Sequence, residues 1–157
     1  FDLRDKGLAK VIWSAAEDSY QYTRQTVLLV TDAFAQRHPQ AVQRVVNAVV
    51  KTTHQYSDEN RRAELFAQWG KTEYPEKVWR EDFVGQPLRV RLSPLLDPFL
   101  VGIYKDSAEQ ALQLKLIRKK PEIDSWFDRR YLNAALKELQ LEGYWPSYAA
   151  DGKLQTR

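Results

Sequence analysis

Thr26-Val27-Leu28-Leu29-Val30-Thr31 is the stretch on which the fold turns. Its four interior residues are all apolar, the pattern of a strand buried on both faces rather than one alternating between core and water. A second short run, Leu8 to Trp13 with Val11, Ile12 and Trp13 at its centre, reads as a strand over 10–14. Two strands make a poor sheet, because three or more are normally needed for independent stability. The two runs are therefore expected to belong to a larger sheet whose other strands lie outside these 157 residues. The competing reading is an all-helical domain in which 26–31 is a buried helix segment.

Outward from that stretch the pattern becomes helical. Ala33 to Arg37 predicts one short turn, ended by His38-Pro39, and the proline suits the first turn of a following helix. There Val42, Val45, Val46, Val49, Val50 and Tyr56 recur at three- and four-residue spacing, which predicts a helix over 39–56 with a buried valine stripe. Ser57, followed by Asp58 and Glu59, reads as the cap of a helix over 58–69 that buries Leu65, Phe66 and Trp69. Pro75 to Phe83 predicts a shorter helix, and Gly85 and Pro87 a loop. Ser93-Pro94 reads as the cap and first residue of the longest helix, about 93–115. A last helix, about 129–140, carries the stripe Leu132, Ala135, Leu136 and Leu139. The stretch 144–157 has no period and is expected to be loosely held.

The hydrophobic share of 43% fits a packed core, and 29% charged residues fit a polar surface. No run approaches the ~20 consecutive apolar residues of a membrane-spanning helix. No secretory leader opens the chain and no methionine occurs in it, so a start at Phe1 reads as a processed product or a fragment. The absence of cysteine excludes disulfides and thiolate metal sites. Net charge is +3, from 24 basic and 21 acidic residues, interspersed rather than gathered into the basic stripe of a nucleic-acid binder. The nearest basic cluster, Arg118-Lys119-Lys120, lies at the end of a helical pattern, where cations favour the helix dipole.

The residues that could carry chemistry form no known reaction set. There is no nucleophile elbow, Walker loop or dinucleotide fingerprint. His38 and His54 are far apart and lack a third ligand at metal spacing, so no zinc site is predicted. Three of the five tryptophans, Trp69, Trp79 and Trp145, read as core, and Trp126 is expected to pin the connection between two helices. Trp13 ends the first strand, and open α/β sheets place ligands at strand C-terminal ends.

Taken in order, these pieces resemble the closing half of a type II periplasmic binding protein of the nitrate/sulfonate/taurine ABC-transporter group. The residues carrying the resemblance are Ala9 to Trp13, then 26–31, then Asp32-Ala33-Phe34 with His38-Pro39 and the valine helix, then Leu92 to Asp97 and Ile123 to Asp128. The resemblance implies an α/β fold, mostly helical in this chain with two or three strands. It implies that 1–24 is the end of the second lobe and hinge approach, 25–145 the crossover strand and C-terminal part of the first lobe, and 146–157 a tail. The opening lobe with its glycine-rich loops is absent from this chain, so the missing N-terminal half of the same protein is an implied partner.

The function implied is the solute-binding component of an ABC importer. It would be periplasmic or lipid-anchored extracellular, and would hold a small anion or zwitterion such as a sulfonate, nitrate or taurine for delivery to an inner-membrane permease. Neither a cofactor nor nucleic acid is implied. In that family the segment between the two strands borders the interlobe cleft. Arg24 there could meet an anion through a forked contact, with Tyr22 and Gln25 supplying neutral hydrogen bonds and Trp13 nearby. Read without the resemblance, Arg24 is a surface arginine balancing Glu17 or Asp18. Two other functions stay open: an enzyme of thiamine-pyrimidine biosynthesis on the same fold, and a helical protein–protein adaptor.

Overall fold

A computed structural model describes residues 2–24 and 27–155. Its helices are α1 (Asp2–Asp5), α2 (Ala15–Asp18), α3 (Asp32–Arg37), α4 (Pro39–Tyr56), α5 (Arg62–Trp69), α6 (Glu76–Asp82), α7 (Leu88–Arg91), α8 (Pro98–Gln113) and α9 (Arg129–Glu138). Three 3-10 turns, Tyr20–Thr23, Glu59–Arg61 and Ile123–Trp126, punctuate them. The chain divides into two compact units, Phe1–Arg24 with Thr52–Ser93 and Gln25–Lys51 with Pro94–Arg157.

The first unit is built round Leu65, Phe66, Phe83 and Leu88, with Tyr56, Trp69, Trp79 and Leu92 packed against them. Its aromatic rings meet at tilted and edge-on angles, Phe66–Phe83 at 5.4 Å and Trp69–Trp79 at 5.1 Å, the arrangement favoured by their quadrupoles. Ser57 does not cap the helix that follows it. It is buried, and its hydroxyl donates back to the Thr53 carbonyl at 2.6 Å, while Asp58 accepts the Asn60 N–H and starts a 3-10 turn that leads into α5.

In the second unit Val50, Leu132, Ala135, Leu136 and Trp145 form one core, joined by Val46, Leu95, Leu96 and Leu141. A smaller cluster, Val101, Ala108 and Ile123, lies beneath Tyr104 and Phe127. The valine stripe of α4 is only half inside. Val42 and Val50 are buried, whereas Val45 and Val49 are 48% and 39% exposed, so the stripe is wider than the core it meets here. The longest helix of this unit begins at Pro98, not at Ser93. Asp97 caps it by accepting the Leu100 N–H at 3.0 Å, and Leu95 and Leu96 are drawn into the core.

Among the described residues the expected strands are absent. Residues 10–14 and 27–31 carry no β ladder, and the β pairing among the described residues is an isolated antiparallel bridge between Tyr148 and Leu154. Gln25 and Thr26 lie outside the described residues. The physical reason is lack of partners: a strand exists through hydrogen bonds to neighbouring strands, and neither run finds one. Their side chains stand in water, with Ile12 96%, Trp13 60%, Leu28 55% and Leu29 84% exposed. The final segment, by contrast, is held firmly. Trp145 and Tyr148 are buried, the Phe99 N–H reaches the Tyr148 carbonyl at 3.3 Å, and the Gln155 N–H reaches the Ser147 carbonyl at 2.8 Å.

Candidate functional site

The segment that carries Tyr22 and Arg24 is a 3-10 turn at the end of the first unit's opening stretch. Ser19 caps it, its hydroxyl accepting the Gln21 N–H at 3.2 Å. Two residues far away in sequence then fix the turn from the other side. Thr23 donates its hydroxyl to Gln86 Oε1 at 3.0 Å, and Arg91 donates Nη1 to the Thr23 carbonyl at 2.7 Å. Gln86 is buried and its amide also donates to the Asp82 carbonyl. Arg91 also pairs with the Asp82 carboxylate at 2.9 Å and lies over the Phe83 ring at 4.8 Å. The turn is thus clamped by Gln86 from the loop and Arg91 from α7, both of them held in turn by Asp82 of α6.

Of the four residues proposed from the sequence, three can be placed. Arg24 is buried, with 5% of its surface exposed, and so does not stand as a surface arginine. Tyr22, two residues before it, is 40% exposed. Trp13 is 60% exposed and lies in the unpaired run that was expected to be a strand. Gln25 falls outside the described residues. Trp126, expected to pin a connection, is 59% exposed instead, and its neighbour Phe127 packs against Tyr104 at 5.4 Å.

Sequence reasoning missed the clamp itself. Gln86 sits in a Gly-Gln-Pro loop, and nothing in a one-dimensional pattern marks a loop amide as buried. Its available sign was Gly85, which has a φ of 71° and turns the chain sharply where only a residue without a side chain does so freely.

Beside the clamp lies a shallow depression of about 480 Å³, lined by Arg62, Arg80, Phe66, Phe83, Gln86 and Pro87 among others. Its cations are already compensated. Arg62 pairs with Glu59 at 2.7 Å and also donates to the Phe83 and Gln86 carbonyls, and Arg80 pairs with Glu76. Partial desolvation works against the ionised form of Glu59. The Arg62 guanidinium and the Leu88 N–H outweigh it and hold the carboxyl below its usual range. Glu59 is therefore an anchor for α7, not a poised acid. A second depression of about 460 Å³ in the other unit is lined by Asn133, Ala134, Leu136, Lys137 and Glu142. No cluster of three His, Cys, Asp or Glu able to hold a metal occurs among the described residues. The first unit thus carries a buried cation, Arg24, and an exposed tyrosine and tryptophan, Tyr22 and Trp13.

No family model and no curated protein matches this sequence. In three dimensions the chain is similar to a crystal structure from Methylobacillus flagellatus KT, described as SsuA, the periplasmic sulfonate-binding protein of a sulfonate ABC transporter. The TM-score is 0.77 at 27% identity, over 94% of this chain and 46% of that chain. The chain therefore spans about half the length of the protein it matches, consistent with a C-terminal half. The resemblance read from the ordered motifs is present in the backbone as well.

Proposed function

We propose that this chain is half of a periplasmic solute-binding protein that hands a small anion or zwitterion to an ABC permease, and that it works as a carrier and not as an enzyme. The single observation supporting this is the structural likeness to a sulfonate-binding protein over nearly the whole chain. On this reading a sulfonate is the first ligand to test, with nitrate and taurine behind it. The ligand sits in a two-lobed clamp whose hinge closes over it, and this chain supplies one wall. The division of the chain proposed from the sequence, with 1–24 approaching the hinge and 25–145 returning to the first lobe, belongs to the same reading.

Arg24 is the lead ligand contact, with Tyr22, Gln25 and Trp13 beside it. Burial favours the assignment, because a guanidinium withdrawn from water holds an anion more strongly than an exposed one. The test is calorimetry on the two-lobed protein against sulfonates, nitrate, taurine and pyrimidines. A charge-assisted hydrogen bond contributes about 1.5–3 kcal/mol, so Arg24→Ala should weaken the best ligand about ten- to a hundredfold at ~1.4 kcal/mol per decade. Arg24→Lys, which keeps the charge but loses the fork, should fall between. If Arg24→Ala binds as tightly as the parent, Arg24 is a structural cation and the site lies elsewhere. If no anion binds the parent at all, the carrier reading fails.

A further inference from the structure

Helices α8 and α9 end in the same way, and the difference between the two ends carries an inference that goes beyond solute binding. At the end of α9, Gln140 takes a φ of 57°, its N–H bonds the Lys137 carbonyl, and the Leu141 N–H bonds the Leu136 carbonyl at 2.9 Å. At the end of α8, Lys115 takes a φ of 57°, its N–H bonds the Leu112 carbonyl at 3.0 Å, and the Leu116 N–H bonds the Ala111 carbonyl at 2.8 Å. Both are Schellman caps, in which the residue after the left-handed position normally packs back on the helix. Leu141 does so and joins the core of its unit. Leu116 does not: it is 75% exposed, and Leu114 one residue before the lysine is 69% exposed.

Cations surround these two leucines. Lys115, Arg118 and Lys119 are exposed and make no ion pair among the described residues, whereas Lys120 is neutralised by Glu109 at 2.7 Å. The helix dipole accounts for cations here but not for leucines in water. Lysine at the left-handed position is strained in a way glycine is not, so the turn holds a cation where the backbone does not favour one. A capped turn that displays two apolar side chains among three uncompensated cations is built like the interfacial face of a membrane-surface peptide, apolar groups for the acyl boundary and cations for the headgroups.

We infer that the tip 114–119 docks this protein on an anionic lipid bilayer. The occupant follows from charge complementarity: three unpaired cations meet negative headgroups while Leu114 and Leu116 enter the interface. Each cation near an anionic surface strengthens attachment about fivefold, so the three together contribute on the order of a hundredfold, lost in high salt.

The experiment is co-sedimentation of the chain with vesicles of phosphatidylcholine alone and of phosphatidylcholine with phosphatidylglycerol. Binding should require the anionic lipid and fall sharply as salt rises from about 0.15 M to about 1 M, where the Debye length is ~3 Å. Replacing Lys115, Arg118 and Lys119 together by Gln should weaken it about a hundredfold. A triple Lys10→Gln, Lys51→Gln, Lys71→Gln variant with the same net charge should keep it. Leu114→Ser with Leu116→Ser should reduce binding without changing its salt dependence. Lys115→Gly, which relieves the turn, should lose only the share of one cation, so misfolding of the triple variant cannot mimic the result. Equal binding to neutral vesicles, no vesicle binding, or an equal loss in the control triple overturns the proposal. Binding to polyglutamate in solution with vesicle binding indifferent to the tip variants assigns the surface to an acidic protein and overturns it too.

Discussion

Asp97 is buried, and each of its carboxylate oxygens accepts a backbone N–H, Leu100's at 3.0 Å and Tyr148's at 3.1 Å. One side chain thus starts the longest helix of its unit and ties the final segment to it. Asp97→Ala removes a helix cap, worth about 0.5–2 kcal/mol, and strands a buried donor, which costs about 1–3 kcal/mol. The expected loss is therefore about 2–4 kcal/mol, read from the denaturant midpoint. Asp97→Asn keeps one oxygen acceptor and should lose about half as much. Were the alanine variant to melt like the parent, the final segment would be held by Trp145 and Tyr148 packing and the Phe99–Tyr148 backbone bond without help from Asp97. Asp5 makes a different case. It is bound by Lys77 at 2.6 Å and by Arg4, which also reaches Glu81. The Lys77 ammonium and then the Arg4 guanidinium hold the Asp5 carboxyl down to about 2, against an ordinary 3.8. A carboxyl lowered on folding contributes to stability above its unfolded value and loses that contribution as pH falls through the folded one. The attachment of α1 to α6 should therefore be constant above about pH 4 and released between about pH 4 and pH 2. Amide exchange of residues 3–8 measures this, and the same release should follow from high salt because the pairs are exposed. Exchange unchanged across that pH range would mean α1 is held by something other than these charges.

At the scale of elements, the apolar period located the helices, but a cap signature did not by itself fix where each one starts. Pro39, the α4 spacing and the start of α9 near Arg129 lie close to where the sequence puts them, whereas the Asp128 cap of α9 is seen only in the structure. The start of α8 was misplaced because Ser93-Pro94 and Asp97-Pro98 carry the same cap-and-proline signature, and tertiary contacts of Leu95 and Leu96 chose the second. The two strands misled for a deeper reason. Propensity describes what a segment can pair with, and 10–14 and 27–31 have no partner here. The clamp round Thr23 was invisible because it joins residues 63 and 68 positions apart. It gives an element-scale prediction. Arg91→Ala removes a charged donor to the Thr23 carbonyl, and such bonds contribute about 1.5–3 kcal/mol. Amides of 21–24 should then exchange on the order of tenfold or more faster, while those of α9 stay unchanged. Equal acceleration in both units would mean global destabilisation and not a local clamp.

The molecule as a whole shows more apolar surface than its two cores require. On the first unit Leu8, Val11, Ile12 and Trp13 stand in water, and on the second Leu28, Leu29, Val30, Phe34, Val45 and Val49 do so. Single exposed leucines are ordinary, but runs of consecutive apolar residues are a mark of surfaces meant to be covered. Both runs coincide with the segments whose sequence asks for a sheet, and the similar sulfonate-binding protein is about twice as long as this chain. If the rest of a two-lobed protein supplies that sheet, the chain alone should bind a hydrophobic dye and self-associate as its concentration rises. Ile12→Thr with Leu29→Thr should lessen both effects without lowering the melting transition, because neither side chain contributes to a core. In the two-lobed protein the amides of 10–13 and 27–30 should become protected from exchange, since a ladder pairs them. Fast exchange at those amides in the longer protein, or a monomer of this chain that neither binds dye nor associates, would remove the missing sheet and with it the physical basis for reading these residues as half of a clamp.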